Sequence, residues 1–395
     1  MKLNTILLTS SLILGAQSLP LFERWFGSSD SEEIDSELFP VFNKDSNGTA
    51  VNGTSGGNST FSNTTSSSTS TVKLFSFSSN FTALYNESFS VQSQGLTEVS
   101  NSSSLQLSLA EFLASQVSDA TIVYEQINST SPSNFSSSNL IELHQAIQSA
   151  EAEGVEGIVV LQDDDFLSES AFFLESTLNF TTSNTTIVLA PIFTVLEIPS
   201  TGVGNLIDSL QVASDSQKPD GATSFVVVDE YIYSGFYFDS DDTNGLVGFV
   251  SDEDVEWLYS EIKPLELSTS NITLAEAFSD ANATTLPEII TLSITKNFNV
   301  DILSSITSTN IEGVVLQVPS LSILSDDALS GLGDEKIPVV LASSGFGASS
   351  SDLPDNVYTA GLLNADQAGV VLQVALASGL KGDELSELFE SVYGA

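Results

Sequence analysis

Val155-Glu156-Gly157-Ile158-Val159-Val160-Leu161-Gln162 and Ile311-Glu312-Gly313-Val314-Val315-Leu316-Gln317 read alike. Each is a helix end, a glycine turn and then an unbroken apolar run. Such a run suits a strand buried on both faces, the signature of a parallel sheet covered by helices. Outward from these two stretches the same alternation continues. Strands are expected at Val72–Phe77, Gly157–Leu161, Thr186–Ile192, Ser224–Val228, Glu288–Ile294, Gly313–Gln317 and Lys336–Ala342. Helices are expected at Ser108–Gln116, Asn139–Glu151, Gly204–Ala213, Ala365–Ser378 and Asp383–Val392. Asn364 is placed to cap its helix, with Gln367 at the reciprocal position of a capping box. The pattern is α/β: a mostly parallel sheet in a larger N-terminal domain (72–260), a linker (261–286) and a smaller C-terminal α/β domain (287–395).

Ahead of this body the composition changes. Lys2, the apolar run Ile6–Leu14 and the small-x-small triplet Ala16-Gln17-Ser18 form a signal peptide over 1–18, too short to span a bilayer. Residues 19–71 read as a low-complexity, N-glycosylated linker or pro-region. From Ser46 to Thr71 it is nearly all Ser, Thr, Asn and Gly, which cannot bury enough apolar surface to order itself. N-x-S/T acceptors begin at Asn47, Asn52, Asn58, Asn63, Asn80, Asn86, Asn101, Asn128, Asn134, Asn179, Asn184, Asn271 and Asn282. The expected location is secreted: extracellular, or in the cell wall or periplasmic space.

The charge is lopsided: 52 Asp plus Glu against 9 Lys plus Arg, a net of -43 in 395 residues. Such a chain repels nucleic acid and anionic lipid, so neither is expected as a partner, and membrane insertion is not expected either. Cysteine is absent, which removes disulfides, thiolate nucleophiles and thiolate-bound metals. No cofactor is called for.

Three blocks resemble the L-asparaginase family, in its type II, secreted form. Ala360-Gly361-Leu362-Leu363-Asn364-Ala365-Asp366-Gln367-Ala368-Gly369 and the helix after it are similar to the family's S-G-x-L-N-P-Q-K-A-R segment. Gly157–Val160 followed by Leu167-Ser168-Glu169-Ser170-Ala171-Phe172-Phe173-Leu174 resembles the frame around a catalytic loop. Gly202-Val203-Gly204-Asn205-Leu206 is similar to G-P-x-N-L. The resemblance implies the two-domain asparaginase-like fold, hydrolysis of an amide by a threonine nucleophile, a small amino-acid ligand, and assembly as a homodimer or homotetramer.

At the positions that carry chemistry the chain departs from the family pattern. The T-H-G-T-D-T loop reads Leu161-Gln162-Asp163-Asp164-Asp165-Phe166. Asp164 replaces the supporting threonine, and Asp165 keeps the aspartate that holds the substrate's ammonium. Ser234-Gly235-Phe236-Tyr237 resembles S-A-F-Y, three residues before the family lysine, which becomes Ser240 among Asp239, Asp241 and Asp242. The nucleophile motif T-G-G-T-I-A-G becomes Ser76-Phe77-Ser78-Ser79-Asn80-Phe81-Thr82, with Ser79 at the nucleophile and both glycines gone. Glu125-Gln126-Ile127 resembles the strand leading to a carboxylate-binding serine, which falls on Pro132 beside Ser133. The inter-subunit asparagine falls near Leu321. Catalytic positions are thus Ser79, Asp164, Asp165 and Ser240, and substrate positions Ser133 and Asp165. A covalent hydrolase needs a hydroxyl, a proton acceptor and oxyanion donors. Loss at several of these together points to a pseudoenzyme, with an active L-asparaginase using Ser79 as the alternative.

Asp163-Asp164-Asp165 offers clustered oxygens of the kind calcium takes. Without the alternate spacing of a calcium loop it is read as an acidic strand-end loop facing solvent, its neighbouring side chains pointing apart, and no metal is assigned. His144, the single histidine, is expected on the surface of its helix and not as a catalyst. Tyr231, Tyr233, Phe236, Tyr237 and Phe238 are expected as core and edge packing.

Overall fold

The structure is a computed structural model. It describes residues 70–77, 88–92, 95–97, 106–108, 113, 116–117, 120–127, 135–178, 185–191, 199–220, 224–238, 245–251, 254–262, 273–294, 301–306, 309–320, 323–343 and 353–393. The signal peptide and residues 19–69 lie outside the described residues.

The strands are β1 (Ser70–Ser76), β2 (Ser88–Gln92), β3 (Gly95–Thr97), β4 (Gln106–Ser108), β5 (Ala120–Gln126), β6 (Gly157–Gln162), β7 (Thr186–Pro191), β8 (Ser224–Val228), β9 (Tyr231–Ser234), β10 (Leu246–Val250), β11 (Val255–Trp257), β12 (Ile289–Ser293), β13 (Gly313–Val318), β14 (Val339–Ser343) and β15 (Val357–Thr359). The helices are α1 (Ser137–Glu153), α2 (Leu167–Thr177), α3 (Pro199–Ser214), α4 (Leu274–Ala281), α5 (Asp301–Ile306), α6 (Asp326–Gly333), α7 (Ala365–Ala377) and α8 (Asp383–Glu387). Among the described residues no helix is long and apolar enough to cross a membrane.

Eight strands form the large sheet in the order β11-β10-β9-β8-β7-β6-β1-β5. From β5 to β8 neighbours run parallel, and β8 to β11 is an antiparallel extension. The second sheet, β12-β13-β14-β15, is parallel throughout. The α/β reading therefore holds, with a large mixed, mostly parallel sheet and a smaller parallel one. A small antiparallel sheet β3-β2-β4 accompanies them; Gln106–Ser108 is one of its strands, so the helix expected from Ser108 does not begin there.

The runs that fixed the reading behave as expected. β6 is buried at every position, because helices cover both of its faces. Ile158 and Val160 pack with α1 and α2, while Val159 and Leu161 pack with α3. Gly157 is there because α3 passes so close that a Cβ would stand 2.2 Å from the Ala213 carbonyl oxygen. The single-stretch reading missed α2, whose Phe172, Phe173 and Leu174 are almost fully buried. It also stopped short of the antiparallel extension, whose strands are brief and lack long apolar runs.

One apolar core runs between the sheets. Phe75, Val160 and Phe172 from the first lobe join Val315, Val340, Val371 and Leu372 from the second. Within the stretch read as a linker, the described residues from 273 onward contribute to this packing. It carries α4, and Leu274, Ala275 and Phe278 are buried. His144 also corrects an expectation. It is 6% exposed, edge-on to Phe173 and Phe278, with Nδ1 3.1 Å from Thr177 Oγ1. Burial pulls its pKa down to about 4. It is a neutral core residue, because the helix buries the face on which it stands.

Candidate active site

The chain passes from β1 to β5 on one side and then to β6 on the other, so β1 is the strand at which the winding reverses. In open α/β sheets ligands bind in the crevice beyond the carboxyl ends of strands at such a point. Here those ends are Ser76 and Phe77, Gln126 and Ile127, and Gln162. The strands stay in register to the edge: Ile127 N–H donates to the Ser76 carbonyl at 3.0 Å, and Phe77 N–H to the Leu161 carbonyl at 3.3 Å. The loops that leave this edge are the ones to which the sequence assigns site residues.

The loop after β6 is resolved in detail. Asp163 is extended and its carboxylate accepts from Asp165 N–H at 3.3 Å, capping a 3-10 turn over Asp164–Phe166 that runs directly into α2. Asp164 and Asp165 are exposed and Asp163 partly so. The expectation that their side chains diverge is overturned, because the tight turn gathers all three carboxylates within 4.8 Å of one another. Burial raises the Asp163 carboxyl above its usual range, the charges of Asp164 and Asp165 push the same way, and the Asp165 N–H opposes them. Gln162, 1% exposed, locks the turn by donating from Nε2 to the Phe166 carbonyl at 2.8 Å. Among the described residues its Oε1 is buried without a partner.

Three phenylalanines bridge these strand ends. Phe135 stacks on Phe166 with ring centroids 4.5 Å apart and an interplanar angle of 19°. Its edge meets Phe77 at 5.6 Å and 78°. The stack thus links the loop after β1, the segment after β5 and the turn after β6. Phe77 and Phe166 stand where the family pattern has a glycine and a threonine. Sequence reading noted the lost glycine but had no signal for Phe135, whose role exists only through the contact.

Asn205 shows what the G-V-G-N-L block does here. Its Oδ1 accepts from Asp229 N–H at 2.9 Å, pinning the β8–β9 turn. Asp229 and Glu230 both have positive φ, 51° and 71°, conformations that glycine or asparagine adopts more readily. Among the described residues Asn205 Nδ2 is buried without a partner.

After β9 the chain makes a turn over Gly235–Phe238. Gly235 fits because a Cβ would come 2.0 Å from Ser224 Oγ. Ser168 Oγ donates to the Phe238 carbonyl at 3.0 Å, and Gln367 Nε2 to the Phe236 carbonyl at 2.9 Å. The aromatics here pack as expected: Tyr233 on Phe238 at 5.5 Å, and Phe236 on Phe172 at 5.3 Å and on Tyr237 at 4.8 Å. Tyr231, 50% exposed, is the exception.

Of the site residues read from sequence, the structure places Asp164 and Asp165 together in the acidic turn. Ser79, Ser133, Ser240, Pro132 and Leu321 lie outside the described residues. So do the glycosylation acceptors apart from Asn282, which is exposed and ends α4 in the left-handed conformation, φ 49°.

Comparison with known proteins agrees with this architecture. Residues 89–271 match the family model described as Asparaginase, N-terminal. L-asparaginase 2-3 of Saccharomyces cerevisiae is 25% identical over 310 residues, spanning 72% of this chain and 82% of that protein. Probable L-asparaginase 3 of Schizosaccharomyces pombe is 24% identical over 286 residues, spanning 68% and 75%. The crystal structure of a probable cytoplasmic L-asparaginase from Campylobacter jejuni shares the fold, with a TM-score of 0.63 at 19% identity over 82% of this chain and 99% of that one. In sequence over residues 89–271 and in fold, the chain is thus similar to the L-asparaginases.

Proposed function

We propose that this chain is a secreted, N-glycosylated member of the L-asparaginase family whose asparaginase site is degenerate, so that it acts as a scaffold or binder rather than as a hydrolase. The observation that carries this reading is the Phe77–Phe135–Phe166 stack across the strand ends. A catalytic crevice needs polar donors for the oxyanion and room for the substrate. Ring faces supply no such donors, and each such pair adds about 0.5–1.5 kcal/mol of packing that holds the rings across the strand ends. The three crowded carboxylates beside it disfavour the α-carboxylate of an amino acid. Secretion rests on the N-terminal signal pattern and glycosylation on the density of acceptors, with Asn282 open to solvent. Assembly as dimers or tetramers is carried over from the family.

Ammonia release from L-asparagine by the purified secreted chain, at acidic and neutral pH, tests the reading. Wild type, Ser79→Ala and Asp165→Ala are expected to give the same background. Release by wild type that both substitutions abolish would establish the alternative, an active enzyme with Ser79 as nucleophile.

A further inference from the structure

The antiparallel extension β9-β10-β11 packs one of its faces and leaves part of the other bare. Ile232, Val247 and Val250 join the core under α3, and Trp257 packs against them, 5.0 Å from Phe225. Side chains alternate along a strand, so the neighbours of these residues stand on the opposite face. There Tyr231 lies opposite Phe249, and Phe249 opposite Glu256, so that one row crosses three strands. Tyr231 is 50% and Phe249 38% exposed, and Glu256 is exposed as well. Residues paired in this way hold their side chains about 5 Å apart, close enough to act on one ligand group.

The row begins at a turn that carries two more acids. Val228 pairs with Tyr231, which leaves Asp229 and Glu230 as a two-residue hairpin loop. With φ positive at both, this is the turn that Asn-Gly forms most easily. Asp-Glu stands there instead, held by the bond from Asp229 N–H to Asn205 Oδ1. Backbone kept in a costly conformation by its surroundings gathers at functional sites. Asp229 is exposed and Glu230 partly so. After burial, the charges of Tyr231 and Asp229 raise the Tyr233 hydroxyl above its ordinary 10.0, which sets the Asp229 carboxylate beside the same row. No Lys, Arg or His occurs anywhere from Asp229 to Ile262, so these acids have no local counter-charge along the chain.

We propose that the Tyr231–Phe249–Glu256 row, with Asp229 and Glu230 at its end, binds an arginine-bearing basic segment of a partner protein. Charge complementarity selects this occupant. Exposed aromatic rings lie between carboxylates, and a guanidinium can stack on the rings while it pairs with the acids. A second copy of this chain would bring the same acids and a net charge of -43, so it does not suit this face. An apolar segment would strip water from the carboxylates and give them no partner. The same net charge draws basic partners in from solution. The proposal goes beyond the degenerate-site reading and holds whether or not the chain turns over a substrate.

Fluorescence anisotropy of a labelled octa-arginine peptide, titrated with the purified full chain at about 0.15 M salt, tests the surface. Tyr231→Ala and Phe249→Ala should each weaken binding about two- to fivefold. Glu256→Gln should weaken it and reduce its salt dependence. Glu276→Gln and Asp280→Asn remove exposed acids from α4 and should leave it unchanged. Octa-lysine should bind wild type less tightly than octa-arginine, and the gap should close in Phe249→Ala. No binding by wild type, or equal binding by wild type and both aromatic variants, would overturn the proposal. So would a loss in Glu276→Gln as large as that in Glu256→Gln, because charge would then attract the peptide at no particular place. An oligomer in sedimentation velocity that Phe249→Ala dissociates would assign the face to a second copy instead. All the substituted side chains are exposed, so the variants should fold. Where an aromatic variant melts early, Glu256→Gln against Glu276→Gln decides alone.

Discussion

Helices α7 and α2 start in opposite ways. At α7 the polar groups answer one another: Asn364 Oδ1 accepts from Gln367 N–H at 2.8 Å, and Gln367 Oε1 accepts from Asn364 N–H at 3.1 Å. At α2 the helix has no side-chain cap of its own and grows out of an acidic 3-10 turn, with Gln162 Oε1 buried and unanswered beneath it. A buried acceptor without a donor costs about 1–3 kcal/mol, a cost the α7 cap does not carry. Both helix starts hold the turn after β9, through Ser168 and Gln367, but the start of α2 also borders the crevice. The cap of α7 answers its own polar groups, while the acidic turn that leads into α2 leaves three carboxylates crowded together.

The sharpest way to break this contrast is through the shared core. Phe173 is fully buried against His144 and Phe278, so Phe173→Ala should cost about 3–5 kcal/mol in urea unfolding. A loss under about 1 kcal/mol would mean that the two lobes do not depend on one core. Next comes His144. Its folded pKa of about 4 lies below the ordinary 6.5, so the unfolded chain binds its proton first as the medium acidifies. Its contribution is full above pH 6.5 and declines as pH falls toward 4, by about 3 kcal/mol in all. His144→Gln should remove that slope from stability measured between pH 6.5 and 4, and an unchanged slope would place the acid sensitivity elsewhere.

Smaller effects separate the two helix starts. Asn364→Ala should lose about 1 kcal/mol in urea unfolding, as expected for a helix cap. Asp163→Asn keeps an acceptor for Asp165 N–H and removes one of three crowded charges. At neutral pH it should change stability by less than about 0.5 kcal/mol, toward greater stability. If Asp163→Asn cost as much as Asn364→Ala, the acidic turn would be a structural joint and the contrast would fail.

Local pattern carried much of the fold. Buried apolar runs such as Ile158–Leu161 and Val314–Leu316 can only be covered strands, and Asn364 with Gln367 can be recognised as a cap from spacing alone. The periodicity of α1 could be read too, but not that His144 lies on its buried side, since that depends on where α2 and α4 pack. The stretch 261–286 lacked a strong pattern, and α4 is core only because Phe278 meets α1 and α2 in space. Within the site, Asp164 and Asp165 were legible as family positions. Their convergence with Asp163 was not, because it follows from a tight turn that replaces the extended chain assumed for adjacent residues.

By itself the sequence determined the α/β class, a mostly parallel sheet with a second, smaller α/β lobe, the acidic and cysteine-free character and the family resemblance, because each follows from residue type and spacing along the chain. Only the tertiary structure decided that three phenylalanines meet across the switch point, that His144 is neutral and buried, and that Ser168 and Gln367 seat two helix starts on one turn. Those properties belong to contacts between residues distant in the chain, and burial and charge act through space.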